Sequence, residues 1–330
     1  LNLKFQNIDK KILFLIASLL YLSPYYRTSG FWGLNENYAI ITFIISFIFL
    51  EKFLKNETYK SNSSFLNLIL TIIFSSLSVY FDQKFLFVPL LCFIRILFSA
   101  NKSSLKINTC FLYFIFSLPY MYFIYKWKGI VPVATQIANP NTITSIQDLP
   151  NLYYIHIGYA STIMSFYLLP VILFFKNNIF NVLTNVLKKK SLYYFIAIFL
   201  IYIFYHYYFF DFQKFTVKDY WVGLGVVHIL SLIITDNILY QEILTYFFFF
   251  FSFLIILIFY YEKKSDLWFL IYFYFISLLV WPLMQEYFDP VIVLSAFILF
   301  NSVKTITRFN SIFITAYLSI LLIIANLYYS

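Results

Sequence analysis

Residues 240–261 read YQEILTYFFFFFSFLIILIFYY, an apolar run in which Glu242 is the only charged residue. A helix of this length rises roughly 33 Å, enough to cross the roughly 30 Å hydrocarbon core of a bilayer. The whole chain shares this character, because 62% of its 330 residues are hydrophobic and only 11% are charged. Soluble domains average about 45–50% apolar and about 25% charged residues. The sequence therefore predicts an all-α, polytopic integral membrane helical bundle, with residues 1–330 forming a single transmembrane domain.

Eleven apolar runs are long enough to be interpreted as membrane crossings. A further apolar segment, 221–235, is shorter and lies between Asp219 and Asp236, so we interpret it as interfacial or re-entrant. The predicted crossings are 11–24, 38–54, 64–80, 85–100, 108–125, 153–175, 191–210, 240–261, 267–283, 290–303 and 309–328.

Basic residues are distributed unevenly between the predicted loops. With a cytoplasmic N-terminus, the inner segments carry sixteen of the 23 Lys and Arg residues and the outer segments carry six, as the positive-inside rule expects. Nine of the 14 acidic residues fall on the outer side. We therefore expect an integral, multi-pass membrane protein with a cytoplasmic N-terminus. Its active face is expected on the opposite side, which is the periplasmic (extracytoplasmic) side or the ER lumen. The basic clusters flank apolar runs, so the net charge of +9 does not indicate nucleic-acid binding.

Three polar segments near the predicted outer ends of the spans carry the candidate catalytic residues. Charges at membrane depth are costly and mark functional sites by default. The segment 23–37 contains Glu36, 82–84 contains Asp82, and 285–290 contains two carboxylates three residues apart. The catalytic candidates, which can act as general bases or hold sugar hydroxyls, are Glu36, Asp82, Glu286 and Asp289.

Each of these segments also has a structural interpretation. Glu36 suits the cap of a helix. Asp82 and Lys84 suit an ion pair at a hairpin tip, and Glu286 suits an interfacial cap within an aromatic belt. Pro290 fits the start of the next span.

The candidate substrate-binding residues lie in or beside the same segments, with one exception. Lys84 can supply charge to a phosphate, and Gln83 and Tyr287 neighbour the candidate acids. Arg95 lies within a predicted span, where it either snorkels or pairs with an outer-loop acid.

The sequence predicts no cofactor and leaves dependence on a divalent metal open. His156, His206 and His228 are spread over separate segments without metal-site spacing. No phosphate-binding P-loop, dinucleotide fingerprint or nucleophile elbow is present in the sequence.

The polar segments resemble motifs of the GT-C membrane glycosyltransferases, and within them the α-1,2-glucosyltransferases that use dolichyl-phosphate-glucose. Ser23–Asn37 is similar to that family's loop ending in a Thr-Glu-Ala helix start, with Glu36 on the Glu. Phe81–Lys84 resembles its Phe-Arg-Gln-Thr motif, with Gln83 matching, Asp82 replacing the Arg and Lys84 the Thr. Further similarities are Lys128–Pro132 to its Gly-Gly-Ile-Val loop, Pro150–Tyr154 to its Pro-Asn-Leu-Tyr-Tyr helix start, and Glu286–Pro290 to its Arg-Tyr-Phe-x-x-Pro segment.

The resemblance implies transfer of a sugar, glucose in the family, from a polyprenyl- or dolichyl-phosphate donor with inversion at the anomeric carbon. Its implied partners are membrane lipids, the lipid-phosphate sugar and a glycan or lipid-linked acceptor. The chain begins with Leu1 and corresponds to the family from about its third span. We therefore expect the family's first two helices and the acid between them to be missing, and the chain alone to be inactive.

Other classes of membrane protein remain open. A polysaccharide polymerase or flippase also has many spans, although the polymerase class is expected to carry arginines in its large outer loop, and 126–152 has none. A transporter is expected to show inverted repeats with broken helices. The last alternative is an inactive membrane subunit.

Overall fold

The computed structural model describes residues 4–5, 8–27, 35–55, 62–99, 103–138, 152–175, 181, 184, 191–212, 224–281, 283–300 and 303–329. Across these residues the protein is helical and contains no β-strand, apart from one isolated bridge between Phe175 and Val303. The prediction of an all-α fold is confirmed for this part of the chain. Sequence predictions for 28–34, 139–151 and 221–223 lie outside the described residues.

Helices of very different length make up the fold. Four short 3₁₀ helices, Ser18–Leu22, Gln83–Leu86, Pro170–Phe174 and Gln285–Tyr287, are among the described elements. The α-helices in chain order are α1 (Lys10–Ala17), α2 (Asn35–Lys55), α3 (Asn62–Phe81), α4 (Phe87–Ser99), α5 (Ser103–Trp127), α6 (Val133–Ala138), α7 (His156–Leu168), α8 (Ser191–Phe209), α9 (Gly225–Ile234), α10 (Ile238–Glu262), α11 (Lys264–Leu279), α12 (Val291–Ile298) and α13 (Arg308–Tyr329).

Among the described residues, five helices are long and apolar enough to cross a membrane. They are α2, most of α3, α5, most of α8 and α10, and they coincide with the predicted spans 38–54, 64–80, 108–125, 191–210 and 240–261. In α5 and α8 only 6% of the most apolar window is buried inside the protein. Such all-round exposure of apolar side chains is expected where a helix faces lipid.

The count of eleven crossings is not confirmed, because five of the other six apolar runs form shorter or interrupted helices among the described residues. The sixth run, 309–328, lies in the 22-residue α13. The run 153–175 is divided between the 13-residue α7 and a 3₁₀ helix that begins at Pro170. Proline lacks the N–H that would continue the α-helical ladder, so it ends α7 there. The run 290–303 contains only the eight-residue α12. The remaining runs are 11–24, 85–100 and 267–283.

The short helix α7 lies at the centre of the bundle. Eleven of its 13 residues are buried, and it packs against α9, α10, α11 and α12. Gly158 permits a close approach of α10, because a Cβ atom there would overlap the Phe249 ring. An apolar run can therefore be buried against protein, so run length alone does not establish a membrane crossing.

Helices α2 and α3 form the most extensive helix pair, and one continuous hydrophobic cluster extends from Phe5 to Leu321. Helix α9, in the segment 221–235, has ten residues and therefore rises only about 15 Å. This is half the hydrocarbon thickness, as expected for a segment that does not cross.

Candidate functional site

The ammonium group of Lys84 joins two of the predicted acids. Its Nζ lies 2.8 Å from Glu36 Oε1 and 3.2 Å from Asp82 Oδ2. Glu36 comes from the first turn of α2, whereas Asp82 and Lys84 follow the end of α3. Because α2 and α3 pair side by side, the start of one helix and the end of the other meet.

Local backbone geometry holds this cluster in place. Asp82 has an extended backbone and caps the following 3₁₀ helix, its Oδ1 accepting a hydrogen bond from the Lys84 N–H at 3.0 Å. The Tyr272 hydroxyl of α11 donates to the Lys84 carbonyl at 2.9 Å. Both hydrogen bonds hold the backbone of Lys84, so its position does not depend on the ion pairs of its side chain.

Glu286 approaches the same cluster through its backbone. Lys84 Nζ donates to the Glu286 carbonyl at 3.5 Å, so segments far apart in sequence meet at one end of the bundle. Burial and then the charge of Glu36 raise the pKa of the Glu286 carboxyl, against a smaller opposing effect of Lys84. The structure therefore brings Glu36, Lys84 and the backbone of Glu286 together.

The electrostatic balance of this Lys84 cluster (Glu36, Asp82, Lys84 and Glu286) favours bound cations or hydroxyls over free anions. Burial lowers the pKa of Lys84, but Asp82 and Glu36 more than offset it, and the pKa is raised overall. The ion pair expected from the structural interpretation of Asp82–Lys84 is present. A phosphate can contact Lys84 only by exchanging with one of these carboxylates.

Asp289 occupies a different environment, although it is only three residues from Glu286. Its side chain is buried and accepts a hydrogen bond from Ser23 Oγ at 2.7 Å. The Tyr167 hydroxyl and the Tyr25 N–H also bond to it. Burial outweighs these bonds and the charge of Lys84, and it raises the pKa of Asp289 to about 7. A carboxyl with this pKa exchanges protons near neutral pH, as a general base requires.

The dipeptide Ser23-Pro24 explains how the Ser23 hydroxyl is aimed. Ser23 Oγ accepts the Tyr26 N–H at 2.9 Å, which is the usual bond of an N-cap serine. Proline is favoured directly after such a cap because the N–H that proline lacks would have no helical partner at this position. The Tyr26 N–H occupies one of the two lone pairs of the hydroxyl oxygen, and the hydroxyl donates its single proton to Asp289.

An apolar groove leads away from Asp289. Its volume is about 440 Å³, and it is lined mainly by aliphatic side chains of α1, the following 3₁₀ helix, α12 and α13. Ser23 and Asp289 are polar residues of its lining. Lys10, the first residue of α1, also lines the groove. Phe14, which also lines the groove, is 76% exposed, so the groove opens at the surface.

The other predicted substrate-binding residues divide into two groups. Gln83 and Tyr287 are partly buried beside the Lys84 cluster. Arg95 lies elsewhere: its guanidinium contacts Glu51 Oε1 and the Leu299 carbonyl, both at 3.4 Å. Glu51 is fifteen residues along α2 from Glu36, which corresponds to roughly 22 Å. Of the two interpretations of Arg95, snorkelling or pairing with an outer-loop acid, the structure shows pairing, but with Glu51, which lies at the opposite end of α2 from Glu36.

The histidines also meet more closely than their sequence positions indicate. The rings of His206 and His228 each lie 5.6 Å from the Tyr159 ring, measured between centroids. His156 stacks on Trp281 and bonds through Nδ1 to the Ser277 carbonyl at 2.9 Å. Within the described residues, no group of three or more His, Cys, Asp or Glu side chains is arranged to hold a metal ion.

Sequence reasoning missed three residues around Asp289, namely Ser23, Tyr167 and Gln285. Tyr167 is one of 31 tyrosines, and nothing in its local sequence distinguishes it. Gln285 lay in a segment singled out for its acids, but its own role was not predicted. The Ser23-Pro24 cap is a signal that could have identified Ser23.

Comparison with known proteins yields no matching family model, no similar curated protein and no similar solved structure.

Proposed function

We propose that this protein is a membrane glycosyltransferase that transfers a sugar from a polyprenyl-phosphate donor to a lipid-linked or outer-face acceptor. The observation that carries the proposal is the position of Asp289, a buried carboxyl with a pKa of about 7 beside an apolar groove. A proton acceptor next to a hydrocarbon-binding surface is what a reaction on a lipid-borne substrate needs. The donor class itself is supported by the motif resemblance.

In the proposed reaction, ionised Asp289 removes the proton from the acceptor hydroxyl. The acceptor oxygen forms a bond to the anomeric carbon, the bond from that carbon to the phosphate oxygen breaks, and the lipid phosphate leaves with the electron pair. The groove holds the hydrocarbon chain of a lipid-borne substrate. General-base catalysis of this kind contributes about 10²–10⁴-fold to a rate.

The Lys84 cluster has two roles in this proposal. Its carboxylates accept hydrogen bonds from sugar hydroxyls, and Lys84 contacts the donor phosphate after exchanging Glu36 for it. Glu36 is the most solvent-accessible member of the ion pairs, with 29% of its side chain exposed, so it is the partner that can turn away. Lys84 then stabilises the charge that grows on the leaving phosphate.

The test measures sugar transfer in membranes containing the protein expressed from its complete reading frame. Radiolabelled polyprenyl-phosphate sugars and nucleotide sugars are supplied separately to wild type, Asp289→Asn and the control Asp236→Asn. Asp236 is exposed and precedes α10, so its substitution makes the same chemical change outside the site. We expect transfer from the lipid donor, a loss of about 10²–10⁴-fold in Asp289→Asn, and no loss in the control. Transfer from nucleotide sugars alone would contradict the proposal.

A proton-coupled transporter is the second candidate, and the interrupted helices favour it. Asp289 lies between a 3₁₀ turn and the eight-residue α12, and discontinuous helices form the substrate sites of many transporters. A buried acid that titrates near neutrality also suits a proton relay. Proteoliposomes distinguish the two classes: a transporter acidifies its lumen as solute enters, whereas the transferase converts substrate without a proton gradient.

A further inference from the structure

Two further buried side chains, Gln285 and Tyr167, extend the hydrogen bonds that surround Asp289. Gln285 Nε2 donates to the Tyr167 hydroxyl at 2.7 Å, and both side chains are buried. The Tyr167 hydroxyl is in turn bonded to Asp289. The three side chains therefore form a hydrogen-bonded series, from Gln285 in the 3₁₀ helix, through Tyr167 of α7, to Asp289.

The donor and acceptor groups of the Tyr167 hydroxyl set the direction of these hydrogen bonds. A tyrosine hydroxyl has one proton to donate, and an amide N–H on its lone pair leaves that proton for another acceptor. Gln285 therefore keeps the Tyr167 proton pointed away from itself and toward Asp289. Ser23 behaves in the same way, because its lone pair is occupied by the Tyr26 N–H while its proton is 2.7 Å bonded to Asp289 Oδ2.

We propose that Tyr167 and Gln285 are positioning residues that act in series, Gln285 orienting the Tyr167 hydroxyl and Tyr167 holding Asp289 as a proton acceptor. Neither residue needs to touch the substrate. Hydrogen bonds to a carboxylate favour its ionised form and oppose the effect of burial. The catalytic meaning of the relay rests on the proposed function, but the relay itself does not.

Charged and titratable groups on every neighbouring element bear on Asp289. Lys84, preceding α4, lowers its pKa, and Tyr167 of α7 does so by hydrogen bonding. Glu286 lies on the same turn and bonds through its carbonyl to Lys84. Lys10 lines the groove from α1, thirteen residues before Ser23. A shift caused by Tyr167 must therefore be measured with these groups unchanged.

The decisive experiment follows protonation of Asp289 directly, without substrate. Infrared difference spectra between the wild type and Asp289→Asn, recorded across pH in lipid nanodiscs, isolate the band of the protonated Asp289 carboxyl. Tyr167→Phe preserves the ring and removes only the hydroxyl, and we expect it to raise the titration midpoint by about 1–2 pH units. Gln285→Met preserves side-chain length and removes the donor, and we expect a smaller rise.

The serial order is tested by combining the two variants. If Gln285 acts only through Tyr167, Gln285→Met has no further effect on the midpoint in the Tyr167→Phe background. An unchanged midpoint in Tyr167→Phe, or additive shifts in the double variant, would overturn the relay. If Tyr167→Phe does not fold, Gln285→Met alone decides, because the relay requires a raised midpoint and an unchanged one refutes it.

The same variants separate failure of the relay from failure of the proposed function. Raised midpoints in a protein that transfers no sugar would uphold the relay and refute the glycosyltransferase. Sugar transfer with unshifted midpoints would uphold the glycosyltransferase and refute the relay. Where both hold, the acid limb of the pH–rate profile moves with the infrared midpoint, while KM for the donor stays close to wild type.

Discussion

Asp289 and the acids of the Lys84 cluster lie at the same end of the bundle, but their carboxyl groups have different partners. In the cluster, Glu36 and Asp82 share one lysine at 2.8 Å and 3.2 Å. Asp289 is bonded to two neutral hydroxyls and a backbone N–H, with no charged group in direct contact among the described residues. Hydroxyls donate to a carboxylate without neutralising it, so burial prevails and the pKa of Asp289 rises to about 7.

This difference separates two kinds of acidic residue that are equivalent in the sequence. A carboxylate paired with a buried lysine is held by that ion pair and contributes to the structure. A buried carboxyl surrounded by hydroxyls changes its protonation near neutral pH and can accept a proton from a substrate. By this criterion Asp289 is the better candidate for a general base. Glu36 and Asp82 are better candidates for binding substrate hydroxyls or for stabilising the structure.

The largest effect on stability is expected at Asp289. Raising its pKa from 3.8 to about 7 corresponds to roughly 4 kcal/mol against the ionised form. The folded state retains this proton when the unfolded state has lost it, so the wild-type free energy of unfolding falls between about pH 4 and pH 7. Asp289→Asn lacks this loss, and its stability relative to wild type should increase across that window and level off above it.

Thermal unfolding in detergent, followed by tryptophan fluorescence between pH 4 and pH 8, tests this expectation. Asp236→Asn is the matched control, since Asp236 is exposed and its substitution should leave the pH dependence unchanged. A constant difference between Asp289→Asn and wild type at every pH would show that Asp289 does not titrate in this range.

The second effect is expected at Lys84. Removing one partner of a buried ion pair costs roughly 3–5 kcal/mol because the other charge is left unpaired. Lys84→Met should destabilise by less than this, since 29% of the Glu36 side chain and 17% of the Asp82 side chain remain exposed. Adding Glu36→Gln should restore part of the loss. A double variant less stable than Lys84→Met would contradict the pairing.

Much of the fold could be predicted from composition and run length, and the limits have a physical cause. Helices α5 and α8 are long, apolar and little buried within the protein, and both coincide with predicted spans. The central α7 is equally apolar but buried in protein, and hydropathy cannot distinguish the two environments. The candidate acids were found because charges beside apolar runs are rare, whereas Tyr167 was missed because its role depends on contacts across more than a hundred residues.

A smaller effect is expected at Glu286, whose backbone carbonyl rather than carboxylate is bonded to Lys84. Burial and then the charge of Glu36 raise the pKa of Glu286. Glu286→Gln removes that repulsion and should increase stability at pH 8 by less than about 1 kcal/mol. If the carboxylate also holds a sugar hydroxyl, turnover should fall while the loss remains smaller than in Asp289→Asn. Equal losses in both variants would make Glu286 the base.

The smallest effect is expected at Arg95, the one predicted substrate-binding residue that lies away from both acidic regions. Its ion pair with Glu51 is 3.4 Å long, and 28% and 30% of the two side chains are exposed. Partly exposed pairs of this kind contribute about 0–1 kcal/mol. Arg95→Met should therefore lower the free energy of unfolding by less than about 1 kcal/mol, and Glu51→Gln should have no further effect in that background. Because Glu51 and Glu36 lie at opposite ends of α2, the donor KM in Arg95→Met should match wild type. A raised KM with unchanged stability would return Arg95 to the substrate site that the sequence predicted.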